Sequence, residues 1–210
     1  MRSLHPRAAL TVFGAFFVAL VAAVATIGVL PADAAVREAL LTWATPAIVG
    51  LMRVANRGGD WRLLLPGTLL LLVVFRRARE RWWLWIALMI TAPAAEGLLK
   101  IAIGRPRPEG LAFGFPSGHA TAAAAFFGAV LYLAGSLPPA SRRVVRTLAV
   151  ASIVLVGCAR IILRAHWPSD VLGGITLGLG LATVAALLNS VDGEVANSFS
   201  AGRGRARRGS

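Results

Sequence analysis

Residues 160–170 read Arg-Ile-Ile-Leu-Arg-Ala-His-Trp-Pro-Ser-Asp, and the fold is organised around this stretch. Its first part closes a long apolar run, and Pro168 favours a turn before the next apolar run begins. Ionisable groups beside membrane helices are costly and tend to face a partner or a water-filled cavity. An arginine, a histidine and a carboxylate in so short a stretch therefore indicate a polar site where one helix gives way to the next.

The composition is that of a membrane protein. Of the 210 residues, 57% are hydrophobic, whereas an average soluble domain has roughly 45–50%. The net charge of +13 comes from basic residues scattered between apolar runs, a pattern typical of membrane-protein loops and of contacts with anionic lipids. The same pattern disfavours a nucleic-acid partner. The single cysteine excludes an intramolecular disulfide.

The apolar runs predict an all-α, polytopic membrane bundle of about six transmembrane helices. A helix needs about 20 residues to cross the hydrocarbon core, and most of the runs reach that length. The predicted spans lie at about 8–30, 61–75, 82–103, 117–135, 144–163 and 170–188. The second span is short, and we expect it to recruit residues upstream.

Residues 33–60 mix apolar and charged side chains, which predicts an amphipathic, interfacial or re-entrant segment broken near Pro46. A cleaved signal peptide is an alternative for the first span, because Ala32-Asp33-Ala34 resembles a cleavage site. Residues 191–210 are rich in Gly, Ser and Arg and are predicted to form a basic, disordered cytoplasmic tail. Residues 1–190 are predicted to form one membrane-embedded domain with its core at 60–190.

The basic residues predict the orientation. More than half of the 22 lie before the first span, after the second, between the fourth and fifth, and in the tail. The positive-inside rule places this side, with both termini, in the cytoplasm. The ends of spans three and five and the starts of spans four and six then meet at the outer face, periplasmic or extracellular, of the inner or plasma membrane.

Three segments carry unusual polar residues to that outer face. They hold Lys100 with Arg107-Pro108, then Pro116-Ser117-Gly118-His119, then Arg160 with His166 and Asp170. The spacings Lys-x6-Arg-Pro, Pro-Ser-Gly-His and Arg-x5-His-x3-Asp resemble the three-part signature of the type 2 phosphatidic acid phosphatase (PAP2) superfamily, which includes vanadium haloperoxidases. The resemblance covers roughly residues 60–190 and implies a membrane lipid phosphatase. Ala159 stands where the usual third motif has serine, and we expect it to remove a supporting hydroxyl.

The chemistry of these residues also fits phosphoryl transfer. Lys100, Arg107 and Arg160 can neutralise the two charges of a phosphate monoester, and the guanidiniums offer forked donors to its oxygens. Ser117 and the backbone N–H of Gly118 add donors at the start of a helix, where the dipole favours an anion. With three fixed cations at the phosphate, we expect neither a metal nor a cofactor.

Two histidines and one carboxylate complete the predicted mechanism. His166 is predicted to attack phosphorus through one ring nitrogen, while Asp170 holds the proton on the other. His119 is predicted to protonate the leaving oxygen and later to activate the water that opens the phosphohistidine. Each residue alone has an ordinary explanation as a turn, loop or helix-flanking residue. Their shared spacing and side of the membrane favour the phosphatase.

The charges nearby receive simpler interpretations. Glu96 precedes Lys100 by four residues and is expected to pair with it on one helical face. Arg105 and Arg164 are interpreted as headgroup contacts or as solvated residues.

Two other functions remain open: a lipid or phosphate transporter that binds without turnover, and a vanadate-dependent haloperoxidase. The predicted substrate is a lipid phosphate, either a prenyl diphosphate or a lipid like phosphatidic acid. The likeness to bacterial members of the family favours a prenyl diphosphate of the cell envelope. Membrane lipids are the other expected partners, and the oligomeric state is left open.

Overall fold

The computed structural model describes the backbone of residues 5–206 and the side chains of residues 5–190. This part of the chain contains nine α-helices and no strand, which confirms the predicted all-α bundle. They are α1 (Pro6–Ile27), α2 (Pro31–Leu41), α3 (Pro46–Asn56), α4 (Trp61–Val74), α5 (Arg76–Glu80), α6 (Trp82–Ile103), α7 (Gly118–Leu133), α8 (Pro139–Ile162) and α9 (Pro168–Ala206). The side chains of the predicted tail, 191–210, lie outside the described residues, so its disorder stays a prediction.

Five of these helices are long and apolar enough to cross a membrane, namely α1, α6, α7 with the turn after it, α8 and α9 up to Ser190. Helix α4 is apolar but has 14 residues, about 21 Å of helix against a hydrocarbon core of about 30 Å. Asp60 caps it, because its carboxylate accepts the Arg62 N–H at 2.9 Å. The expectation that this span recruits residues upstream is therefore wrong, although the predicted total of about six is confirmed.

The segment between α1 and α4 is helical and broken where predicted. Helices α2 and α3 are separated by residues 42–45, and Pro46 begins α3. The Ile48 N–H donates to the Thr45 hydroxyl at 3.3 Å, which caps α3. Helix α3 packs on α8 through Met52, which shares an apolar cluster with the fully buried Ala159. The interfacial location of this segment stays a prediction.

Helix α1 is packed into the bundle. The ring of Phe17 stacks on that of Phe115, with centroids 6.3 Å apart, and Leu20 and Val24 belong to the same buried cluster. Just after α1, the Asp33 carboxylate accepts hydrogen bonds from Ser169 at the start of α9. These contacts favour a retained first span over the signal-peptide alternative.

Helices α7 and α9 pack with their backbones in contact. A Cβ atom added at Gly174 would overlap the carbonyl oxygen of Ser117, and one added at Gly178 would overlap that of Thr121. Small residues spaced by four let membrane helices approach this closely. The packing sets the start of α7 beside the start of α9, where the predicted site lies.

Candidate active site

The predicted site residues meet at one end of the bundle. The Ser117 N–H donates to the carbonyl oxygen of Asp170 at 2.9 Å, which ties the start of α7 to the first turn of α9. The His166 N–H donates to the carbonyl oxygen of Arg160 at 3.2 Å, which ties the turn before α9 to the end of α8. The bundle therefore joins the second and third sequence motifs directly through the backbone.

A tight turn at residues 163–167 reverses the chain between α8 and α9. Arg164 takes a left-handed conformation with φ of 60°, which ends the helix. Pro168 is the first residue of α9, a position where the missing N–H costs nothing. The prediction that His166 and Asp170 are joined by a turn rather than by one continuous helix is confirmed.

His166 and Asp170 form a buried pair. His166 is 1% exposed and Asp170 is fully buried. The ring Nδ1 lies 3.3 Å from Asp170 Oδ2, a long hydrogen bond, and the same oxygen accepts the Trp167 N–H at 3.0 Å. With Nδ1 directed at the carboxylate, Nε2 is the nitrogen left for chemistry.

The surroundings of His166 favour the neutral imidazole. Burial lowers the pKa of His166 from its ordinary value of 6.5, and the charges of Arg160 and Arg107 lower it further. The hydrogen bond to Asp170 and its charge act in the opposite direction without outweighing burial. The ring is therefore unprotonated near neutral pH, as a nucleophile must be.

Two arginines lie close enough to act on this ring. Arg160 Nη1 donates to the Asn56 side-chain oxygen at 2.8 Å, and its buried Nε has no protein partner among the described residues. Arg107 Nε donates to the carbonyl oxygen of Phe113 at 3.1 Å. Asn56 was missed in the sequence, because it lies at the end of α3 and no motif includes it.

Lys100 is held by Glu96. Their side chains form the expected ion pair one helical turn apart on α6, with 20% and 12% of their surfaces exposed. A Cβ atom at Gly118 would lie 2.9 Å from Glu96 Oε1. The glycine at the start of α7 therefore leaves room for this carboxylate, a role that the sequence did not indicate.

Ser117 and His119 occupy different surroundings at the start of α7. The Ser117 hydroxyl is fully buried and has no partner among the described residues. His119 is half-buried and lines a cavity of about 650 Å³ between α4, α6 and α7. The large apolar side chains around this cavity are Trp61, Leu64, Leu65, Ile86, Met89 and Ile90. His119 thus lies where a polar site meets an apolar cavity.

The interpretation of Arg105 as a headgroup contact or a solvated residue is wrong. Arg105 is 3% exposed, and its Nη1 donates to Asp170 Oδ1 and to the Ser169 hydroxyl, both at 2.6 Å. Its Nη2 pairs with Asp33 Oδ2 at 2.5 Å. No sequence motif indicates these contacts, since Asp33 lies 72 residues before Arg105 within the least regular segment.

Arg164 differs from Arg105. Its side chain is 56% exposed, and its Nη1 lies 3.3 Å from Glu109 Oε1. Glu109 also pairs with Arg37 at 2.7 Å. Exposed pairs of this kind contribute little to stability, and the solvated interpretation fits Arg164.

Comparison with known proteins gives the family. The model of the PAP2 superfamily matches residues 109–192. The chain is also 33% identical over 175 residues to phosphatidylglycerophosphatase B of Bacillus subtilis (strain 168), covering 78% of this chain and 86% of that relative. This chain belongs to the PAP2 superfamily. The resemblance seen in the three motifs is thereby confirmed.

Other likenesses agree with a PAP2 assignment. Decaprenylphosphoryl-5-phosphoribose phosphatase of Mycobacterium tuberculosis (strain ATCC 25618 / H37Rv) is 31% identical over 188 residues, covering 83% of this chain and 92% of the relative. The crystal structure of a transmembrane PAP2 type phosphatidylglycerolphosphate phosphatase from Bacillus subtilis matches with a TM-score of 0.76 and 30% identity, covering 86% and 95% of the two chains. The protein is a multi-pass membrane phosphatase of the PAP2 type that acts on lipid phosphates.

Proposed function

We propose that this PAP2 protein hydrolyses its lipid phosphate through a phosphohistidine on His166. The buried pair with Asp170 carries the proposal, since Nδ1 lies 3.3 Å from the carboxylate and Nε2 stays available. The lowered pKa of His166 keeps that nitrogen unprotonated. Both are what nucleophilic catalysis by histidine needs.

The reaction follows in two balanced steps. The lone pair of His166 Nε2 forms a bond to phosphorus as the bond from phosphorus to the lipid oxygen breaks, and His119 gives that oxygen its proton. His119 then takes a proton from water, whose oxygen attacks phosphorus and breaks the N–P bond. Inorganic phosphate leaves and both histidines return to their starting states.

The phosphate is held by Lys100, Arg107 and Arg160 with the Ser117 hydroxyl. Two donors in this set, the Ser117 hydroxyl and Arg160 Nε, are buried without a partner among the described residues. Buried donors without a partner are costly, so the oxygens of a bound phosphate suit them. Charge stabilisation by positioned cations accounts for most of phosphoryl-transfer catalysis, and no metal is required in this scheme.

We infer that the substrate carries a terminal phosphate on a polar group attached to a lipid. Two relatives are named for such compounds, a phosphatidylglycerophosphate and a decaprenylphosphoryl phosphoribose. The apolar cavity beside His119 supports a lipid on the leaving-group side. The prenyl diphosphate favoured from the sequence stays a prediction that the same assay tests.

The site is proposed to face the periplasm or the cell exterior, with both termini in the cytoplasm. Arg142, Arg143 and Arg146 lie at the start of α8, at its opposite end from Arg160, and such basic loops favour the cytoplasmic side. A tag placed after Ser210 should resist protease added to intact cells or to spheroplasts. Cleavage of the tag from outside would reverse this orientation.

Phosphate release from a lipid panel tests the function. Purified protein should release phosphate from phosphatidylglycerophosphate, from a prenylphosphoryl sugar phosphate, or from both, faster than from undecaprenyl diphosphate or phosphatidic acid. Release should persist with a chelator and be absent in His166→Ala. No release from any lipid would favour binding without turnover, and a strict requirement for divalent metal would contradict the metal-free mechanism.

A further inference from the structure

We propose that Asp33 and Arg105 are positioning residues for the nucleophile, acting on His166 through Asp170. This inference rests on the assignment of His166 as nucleophile proposed above. Both residues precede the matched stretch 109–192; Asp33 lies outside the three motifs, and Arg105 occupies an unspecified position between Lys100 and Arg107 of the first. Neither touches the phosphate in this scheme, so their effect is on the geometry and charge of Asp170.

The first step is the contact between Arg105 and Asp170. The two Asp170 oxygens are divided between two tasks, since Oδ1 accepts Arg105 Nη1 at 2.6 Å and Oδ2 faces His166 Nδ1 at 3.3 Å. Both side chains of the ion pair are nearly inaccessible, with 2% and 0% exposed. A carboxylate bonded on both oxygens is fixed in rotation, and Oδ2 is thereby directed at the imidazole.

The second step is the anchor that Asp33 provides. Its Oδ1 accepts the Ser169 N–H at 2.8 Å, and its Oδ2 accepts the Ser169 hydroxyl at 2.7 Å. The same Oδ2 accepts Arg105 Nη2 at 2.5 Å. One carboxylate at the start of α2 thus holds both the guanidinium and the first turn of α9, the turn that carries Asp170.

The third step is the balance of charge. Asp33 and Asp170 are 2% and 0% exposed and share the single guanidinium of Arg105. Without that cation, two like charges would lie close together in a water-poor site and would repel each other. An Asp170 carboxylate turned away by this repulsion no longer accepts the hydrogen bond from His166 Nδ1, so the nucleophilic Nε2 is no longer held in place.

This balance predicts an unusual result for paired substitutions. Arg105→Gln leaves two uncompensated carboxylates, whereas Arg105→Gln with Asp33→Asn leaves one. The double variant should therefore form the phosphoenzyme faster than the Arg105→Gln single variant. Because the same charge balance also acts on folding, the rates are compared per folded molecule at saturating substrate, where a purely structural effect would leave them unchanged.

The experiment measures phosphoenzyme formation from 32P-labelled phosphatidylglycerophosphate in detergent. For Arg105→Gln we expect the rate to fall by about 100-fold, the size of effect expected from a small misplacement of a catalytic group. KM should change by less than about three-fold, since binding of the phosphate is not the affected step. Arg105→Lys should recover part of the rate.

Arg76→Gln is the matched control, because it removes the same side chain from an exposed ion pair with Glu80. It should leave the rate unchanged. Size-exclusion chromatography and thermal unfolding in detergent check the fold of each variant. If Arg105→Gln does not fold, the same rates are measured with Asp33→Asn and Arg105→Lys. A wild-type rate in Arg105→Gln, or a double variant slower than that single variant, would overturn the inference. A phosphoenzyme in His166→Ala would instead overturn the nucleophile assignment on which it rests.

Discussion

The two histidines of the candidate site lie in different surroundings. His166 is 1% exposed, and its ring faces a carboxylate that is itself bonded to Arg105 and to the Trp167 N–H. His119 is half-buried beside a cavity of about 650 Å³, and no hydrogen bond holds its ring among the described residues. The His166 ring is held by its contact with the Asp170 carboxylate, whereas no such hydrogen bond restrains the His119 ring in the described part of the chain.

The difference matches the two roles proposed for these residues. A nucleophile must keep one nitrogen unprotonated and in line with the bond that breaks, which a rigid environment secures. An acid that later becomes a base must exchange its proton with the leaving group and then with water. Access to the cavity suits that exchange, so the two environments can be tested separately.

Removing His166 should have the largest effect. With no nitrogen to attack phosphorus, His166→Ala should lower kcat/KM by about 10⁴-fold or more and should form no acid-labile phosphoenzyme. The measurement is trapping of labelled protein in alkaline denaturant, in which the N–P bond is stable, after mixing with 32P-labelled lipid; the trapped label should then be lost in acid. Detection of label on His166→Ala protein would show that the nucleophile is another residue. The control is His5→Ala, in the N-terminal arm, which should behave as the wild type.

Removing His119 should produce the opposite pattern. With an aryl phosphate, whose leaving group needs no proton, His119→Ala should still form the phosphoenzyme. Its hydrolysis should slow by about 10²–10⁴-fold because the water is no longer activated. Quenched-flow kinetics would show the intermediate accumulating. An intermediate with the wild-type lifetime would remove His119 from the second step.

The pH dependence tests the fixed histidine directly. Since burial lowers the pKa of His166 below 6.5, the acid limb of kcat/KM should have its midpoint below 6.5 and activity should fall as pH falls through it. The unfolded chain protonates at the higher value, so folding stability should also decrease as pH falls below 6.5. Titration by 15N NMR of histidine-labelled protein, assigned with His166→Ala, avoids the ionisation of the substrate. A midpoint above 6.5 would contradict this.

Substitution of Asn56 should have the smallest effect among these four predictions. Asn56→Ala removes the oxygen 2.8 Å from Arg160 Nη1, which leaves the guanidinium less well placed for the phosphate. We expect KM to rise by about ten-fold, the equivalent of one hydrogen bond to a charged group, with phosphoenzyme formation at saturation nearly unchanged. Steady-state kinetics on the lipid substrate gives both values, and a fall in the saturated rate with KM unchanged would show that Asn56 acts elsewhere.

Local sequence patterns were enough to predict much of this structure. Apolar runs predicted the spans because a helix in lipid must be apolar along its own length. The turn before Asp170 was predicted from Pro168 alone. The ion pair of Glu96 and Lys100 followed from their helical spacing. The prediction that α4 extends upstream was wrong because the side chain of Asp60 caps that helix.

The contacts missed were those between distant segments. Asp33 and Ser169 are 136 residues apart, and Asn56 and Arg160 are 104 apart. Nothing in the residues around Asp33 distinguishes a buried acceptor from a charge in an interfacial segment, since only the packing of α2 against α9 decides between them. Arg105 was misinterpreted for the same reason, because its partners Asp33, Ser169 and Asp170 lie far from it in the sequence on either side.

The close packing of α7 on α9 also limits how the protein can move. Because Gly174 and Gly178 leave no space between the backbones, sliding one helix past the other would drive carbonyl groups into each other. Ser117 and Asp170, joined at 2.9 Å across this contact, must therefore travel as one body. We therefore expect any opening of the cavity to involve α4 and α6, and labels placed there would report it while labels on α7 and α9 keep a constant separation.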